Sequence, residues 1–378
     1  MTLYLKHPIP FIDLAAQQAC IRPQLDQAIS RVLDHGHYVM GPECYEFEQK
    51  LTEYTGVPHV LGCSNGTDAL TMALLALDLK PGEVVLVPSF TFIATAEVVA
   101  LRGALPVFVD VDPVTFNMSP EHLEKTIQVA KKKGLSVKGV IAVDLFGHPA
   151  PHNEIARIAN QYGLWVIVDA AQSLGATYHR KHTVTYGTIA TTSFFPAKPL
   201  GGYGDGGALF TKNELLAQKL KEIRVHGQGP VPYEANVLGL TGRLDTLQAA
   251  ILIEKLKVFP REIEHRNRVA EKYSKKLASV CLVPTVQEQC LSVWAQYTIR
   301  TPHREALQAF LKEKGIPSVV YYKRPLHTQT IYQAGLLGRT LPETERLSTE
   351  VLSLPMHGYL DSEVQDYIID TILSFFEK

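Results

Sequence analysis

The chain has 378 residues, 46% of them hydrophobic and 20% charged, a length beyond what one hydrophobic core usually serves, and it predicts two domains. Its 37 basic and 38 acidic residues leave a formal net charge of −1, which offers no field for nucleic acid or an anionic membrane and points to a small-molecule partner. Cys20, Cys44, Cys63, Cys281 and Cys290 form no C-x-x-C pair and suit reduced thiols in a cytosolic protein better than a disulfide framework.

Met1 to Pro8 lacks the apolar core of a signal peptide, so export by that route is not expected. From about Glu83 strands and helices alternate. Val84–Val87 reads as strand, Ala94–Leu101 as helix, Pro106–Val109 as strand and Pro120–Lys132 as helix. Gly139–Val143, a helix near Pro151–Gln161, and Trp165–Val168 continue the series, and strands this continuously apolar belong to a parallel sheet covered on both faces. The apolar stretch Val84–Val109 is broken by Pro88, Glu97, Arg102 and Pro106, so it is no membrane span.

Helical periodicity follows over Leu215–His226, then Leu244–Val258, then Pro260–Leu277, a long helical stretch expected to connect two domains. After Cys281 short strands (Tyr297–Ile299, Val319–Tyr322) mix with short helices such as Arg304–Lys314. The expected fold is therefore α/β, with a large, mostly parallel sheet domain over residues 1–258 and a smaller α+β domain over 259–378.

Several segments carry residues suited to chemistry, each with a plainer structural reading beside it. Lys198 lies before a loop with five glycines in seven residues, Gly201 to Gly207; it reads either as a desolvated amine nucleophile or as a surface lysine after a hairpin. Asn65, Gly66 and Thr67 open a helical pattern, as an anion-binding helix start or simply a capped helix. Phe92 follows a buried strand and reads as a stacking ring or as core. Asp169 closes the strand Trp165–Val168 with Gln172 three residues on, which is either a ligand-facing pair at a sheet edge or a capping box. His148 and His152 are separated by Pro149 and Pro151, which rule out a shared helix face, so no metal site is expected; Walker and Rossmann glycine motifs are absent.

Together, phosphate donors, an aromatic, a carboxylate, an amide and a lysine are what pyridoxal phosphate (PLP) demands. At these residues the chain resembles the DegT/DnrJ/EryC1/StrS sugar aminotransferases of PLP fold type I. The likeness runs from Phe11-Ile12-Asp13-Leu14 to Ser353-Leu354-Pro355-Met356-His357 and is carried by Asn65 to Leu70, Asp169 to Ser173, Ser193 to Gly207 and Arg243 to Ala250. It is most similar to the branch that aminates a UDP-linked 3-keto-N-acetylhexosaminuronic acid for surface polysaccharide.

The resemblance implies that Lys198 bonds the cofactor aldehyde, Asp169 faces the pyridine nitrogen, Gln172 approaches the phenolic oxygen and Phe92 stacks on the ring. Gly66, Thr67 and Ser193 would hold the phosphate. Thr241 and Arg243 would reach the neighbouring subunit's site in a homodimer, and Arg243 and Tyr321 would meet the sugar. Glutamate would be the amine donor, and the location cytoplasmic. Thr241 stands where the family usually has asparagine, and Tyr321 and Lys323 where the branch has histidine and proline. Rival readings are a 4-keto sugar aminotransferase of the perosamine type and a catalytically silent binding protein with the same fold. A sugar dehydratase of this fold would carry histidine in place of Lys198.

Overall fold

The computed structural model describes residues 8–231, 233–332 and 340–377. Met1 to His7, on which the export expectation rests, lies outside the described residues. Asp13 caps α1 (Leu14–His35), accepting from the Ala16 N–H at 2.8 Å, and Pro42 opens α2 (Pro42–Thr55) at a position that needs no backbone donor.

A repeating strand and helix series follows: β1 (His59–Cys63), α3 (Gly66–Ala76), β2 (Val84–Pro88), α4 (Ala94–Leu101), β3 (Leu105–Val109), α5 (Pro120–Lys132), β4 (Val137–Val143), α6 (His152–Tyr162) and β5 (Trp165–Asp169). A small hairpin of β6 (Thr177–Tyr178) and β7 (Lys181–His182) precedes β8 (Ile189–Ser193), β9 (Gly207–Thr211) and α7 (Glu214–Ile223). The 32-residue α8 (Thr246–Leu277) leads into β10 (Tyr297–Arg300), α9 (Arg304–Glu313), α10 (Pro342–Glu350), β11 (Val351–Leu354) and α11 (Ser362–Phe376).

Seven strands form one sheet in the order β1-β9-β8-β5-β4-β2-β3. β3, β2, β4, β5 and β8 run parallel, as the apolar runs of the first four predicted, and β9 is antiparallel to both β8 and β1. Alternate residues serve opposite faces. Val85, Val87, Ile141, Ile167, Ile189 and Leu209 pack with α3, α4 and α7, while Val84, Leu86, Val140 and Val166 pack with α5 and α6. Truncating a fully buried member such as Ile167 to alanine costs about 2–5 kcal/mol. A separate core joins Val269, Tyr273 and Leu277 of α8 to Tyr297, Ile299, Leu307, Leu352, Leu354, Ile368 and Ile372.

α8 continues through Pro260 because Phe259 and Ile263, on either side, are buried, and their burial outweighs one lost backbone bond. One expectation needs correction. Val319–Tyr322 is not a strand: Val319 exchanges backbone bonds with Ser353, and the chain then turns so that Tyr321 and Tyr322 line a cavity. β1 carried no sequence signal strong enough to predict it.

No helix among the described residues is long and apolar enough to cross a membrane, and no cluster of His, Cys, Asp and Glu among them could hold a metal ion.

Candidate active site

The carboxyl ends of β2, β5 and β8 deliver Pro88, Asp169 and Ser193 to one edge of the sheet, the edge where open α/β sheets bind ligands. A cavity of about 690 Å³ opens there. Its wall includes Gly66, Thr67, Phe92, Asp169, Gln172, Ser193, Lys198 and Tyr321, so eight side chains or backbone segments singled out from the sequence converge on it.

Asp169 is buried at the end of β5. Its Oδ2 accepts from the Thr95 hydroxyl at 3.0 Å, and its Oδ1 accepts from the Ala171 N–H at 3.2 Å. No helix follows, so the capping-box alternative does not describe this turn. Burial pushes the Asp169 carboxyl above its usual range, against the pull of those two donors and of Lys198. Burial likewise pushes the Lys198 amine down, while Asp169 opposes it.

The loop after β8 positions Lys198 by backbone bonds. Lys198 N–H donates to Phe195 C=O at 2.8 Å, Gly202 N–H donates to Phe194 C=O at 2.7 Å, and Tyr203 N–H donates to the Gln248 side chain at 2.8 Å. The curl needs glycine at 201, where a Cβ would meet the Pro196 carbonyl and stand 2.7 Å from that of Phe195. The hairpin-lysine alternative does not describe this residue, since the lysine lines the same cavity as Asp169.

Gln172 is held in one orientation. Its Oε1 accepts from the Phe146 N–H at 2.6 Å, which leaves Nε2 to donate to the Tyr322 hydroxyl at 3.3 Å. The Phe92 ring is 53% exposed along the cavity wall, 6.5 Å from the Tyr322 ring centre.

At the start of α3, Asn65 Oδ1 accepts from the Asp68 N–H at 2.8 Å, and the first backbone bond of the helix comes from Ala69 to Asn65 at 3.0 Å. The N–H groups of Gly66 and Thr67 therefore face the cavity end of the helix without intrahelical acceptors. A Cβ on Gly66 would lie 2.8 Å from the Ser193 Cβ and 3.3 Å from its Oγ, so this cradle of amides and hydroxyl exists only with glycine.

These groups fit PLP: amide and hydroxyl donors for a phosphate, a carboxylate deep enough for a pyridine nitrogen, a fixed amide donor and an amine for the aldehyde. The structure does not bring Thr241 or Arg243 to this cavity. Thr241 is exposed, and its hydroxyl lies 2.8 Å from His226 Nε2. Sequence reasoning missed Thr95, whose hydroxyl supports Asp169, and Gln296, whose buried Oε1 lines the cavity with no partner among the described residues. Single polar residues on a helix and beside a strand leave no motif to read.

Comparison with known proteins agrees with the geometry. The DegT/DnrJ/EryC1/StrS aminotransferase family matches residues 19–373. The UDP-2-acetamido-2-deoxy-3-oxo-D-glucuronate aminotransferase of Pseudomonas aeruginosa is 46% identical over 94% of this chain and 96% of its own. Among solved structures, a DegT DnrJ EryC1 StrS aminotransferase from Brucella abortus superposes with a TM-score of 0.96 at 49% identity, covering 98% of this chain and 100% of that one. NtdA from Bacillus subtilis, crystallised with bound cofactor PMP, gives 0.92 at 29% identity, covering 100% and 87%. The chain belongs to the DegT/DnrJ/EryC1/StrS family and is a PLP-dependent sugar aminotransferase.

Proposed function

We propose that the substrate is a UDP-linked 2-acetamido-2-deoxy-3-keto-hexuronic acid, aminated at C3 with glutamate as donor, for bacterial surface polysaccharide such as lipopolysaccharide. The observation that carries this reading is the 46% identity, over nearly the whole of both chains, to a relative named for that reaction. In the net reaction the amine of glutamate replaces the keto oxygen of the sugar, and glutamate leaves as 2-oxoglutarate.

In this reading Lys198 bonds the cofactor aldehyde, Asp169 meets the ring nitrogen, Gln172 donates to the phenolic oxygen, and Phe92 covers the ring. Gly66, Thr67 and Ser193 hold the phosphate. Bound there, PLP supplies an electron sink for the carbon that loses its proton. Asp169 maintains the positive ring nitrogen that makes the sink effective, and the freed Lys198 Nζ takes the α-proton of the donor.

Tyr321 contacts the sugar, and Thr241 and Arg243 complete the cofactor and substrate sites of a second copy in a homodimer. Supporting this, both lie outside their own chain's cavity, and Thr241 is exposed. A division into units at 258/259 belongs to the same reading, supported by the separate core around Tyr273 and Tyr297. The reaction is placed in the cytosol, where sugar nucleotides are made.

The test is a panel of 3-keto and 4-keto UDP and GDP sugars incubated with glutamate and read by product mass. Turnover of the 3-keto hexuronate supports the assignment; turnover of 4-keto substrates alone replaces it with the perosamine type, and none at all ends the assignment in favour of a keto sugar outside the panel. Sedimentation as a fully active monomer would end the shared-site idea.

A further inference from the structure

The ionisable side chains on the cavity wall, tyrosines aside, are Asp169, Asp205, Lys198 and Arg324. Lys198 and Asp169 are taken up by the cofactor in the proposed reading. Arg324 is then the cation left on this wall among the described residues, and it makes no ion pair among them. Its Nη2 donates to the Thr328 carbonyl at 2.5 Å, which uses one of the five N–H groups of a guanidinium and leaves the rest of the fork open.

The segment that carries Arg324 is pinned on both sides. Upstream, the Tyr322 hydroxyl accepts from Gln172 at 3.3 Å. Downstream, Leu326 N–H donates to the Ser89 carbonyl at 3.0 Å, His327 N–H donates to the Ser89 hydroxyl at 3.2 Å, and the His327 ring reaches the same hydroxyl at 2.7 Å and Glu345 at 3.2 Å. Ser89 follows β2 directly, so the backbone around Arg324 is fixed to the sheet edge that holds the catalytic groups. A cation presented this way can hold a ligand with little loss of backbone freedom.

A sugar nucleotide needs such a cation. Its diphosphate is anionic, and a hexuronic acid adds a carboxylate; both match a guanidinium fork. Asp205, also on the wall and without an ion pair among the described residues, carries the wrong charge for these groups, which leaves Arg324 as the matching one. We propose that Arg324 receives an anionic oxygen group of the sugar nucleotide, the uronate carboxylate or the diphosphate, and sets substrate choice through it. This rests on the sugar nucleotide reading above.

The experiment compares wild type, R324Q and R324K as holoenzymes in the two half-reactions followed separately by absorbance: glutamate with the pyridoxal form, then keto sugar with the pyridoxamine form. The sugar arms are the UDP-linked 3-keto hexuronate and its neutral C6-hydroxymethyl counterpart. R324Q is expected to raise KM for the hexuronate about 10- to 50-fold with kcat changed far less, while the glutamate half-reaction stays within about twofold. R324K should recover part of the loss, since it keeps the charge without the fork.

A loss confined to the hexuronate assigns the carboxylate, and an equal loss on both sugars assigns the diphosphate. KM unchanged on both sugars, or a loss in the glutamate half-reaction as large as that on the sugars, overturns the proposal. If wild type accepts only some other keto sugar nucleotide, the substrate assignment fails by itself. R324Q is then scored on that substrate, where a raised KM upholds the anion contact and an unchanged one ends it.

Discussion

The Asp169 carboxyl and the Lys198 amine share one cavity, and burial drives each toward its neutral form while the charge of the other opposes it. A pair poised in this way is sensitive to removal of either member. K198A should lose turnover and the borohydride-fixed cofactor together; a colourless K198A that still aminated sugars would sink the role of Lys198.

D169N keeps the shape of the side chain and removes its charge. With the amide oxygen facing the Ala171 N–H, the NH2 group faces the Thr95 hydroxyl, which can turn from donor to acceptor, so the fold should hold. Activity should fall at least about a hundredfold, because the ring nitrogen loses its counter-charge. Single-turnover rates with glutamate measure this, and a D169N rate within threefold of wild type would contradict it.

Gln172 has two tasks that different variants separate. Q172A leaves the buried Phe146 N–H without its 2.6 Å acceptor and should cost about 1–3 kcal/mol of stability. Q172E retains an acceptor for Phe146 but no donor toward Tyr322 or the phenolic oxygen, so it should fold nearly as wild type while its cofactor absorbance titrates at a different pH. Urea unfolding with a visible-absorbance pH titration reads both, and equal destabilisation of the two variants would refute the division.

How far the sequence revealed this site depended on whether a residue's task was local. The parallel strands were legible because burial on both faces leaves long apolar runs, and Asp169 was legible because it ends such a run. Gln172 was found, but its partners Phe146 and Tyr322 are remote in sequence and only the folded chain joins them. Tyr321 and Tyr322 were misread as strand because aromatic, β-branched runs favour strands, whereas here the cavity wall takes them. Thr95, Gln296 and Arg324 carry no periodic or motif signal at all. Their significance is purely spatial.

The cradle at the start of α3 makes a steric prediction. G66A places a methyl group 2.8 Å from the Ser193 Cβ, and either the helix start or β8 must shift by several tenths of an ångström. Cofactor affinity should fall at least about tenfold, beyond the about 1–3 kcal/mol of apo-protein stability that such overpacking costs. Equilibrium dialysis against PLP measures it. Unaltered affinity would mean that the phosphate sits somewhere else.

His357 ends the Ser353 to His357 motif and is 3% exposed; burial first, and then the Arg266 guanidinium, push its imidazole down to about 4 from an ordinary 6.5, against the pull of Asp13. Between those pH values the unfolded chain binds a proton that the folded chain refuses. Stability therefore rises with pH from about 4 to 6.5 and gains nothing more from this group above that window. The full difference is on the order of 3 kcal/mol. His148, buried and also pushed to about 4, acts in the same direction. H357Q should accordingly flatten about half of the slope that the two histidines contribute and leave the remainder to His148. Unfolding free energies at pH 4.5 and 7 for wild type and H357Q measure this, and an unchanged slope in H357Q would show that the folded protein accepts the proton on His357 after all.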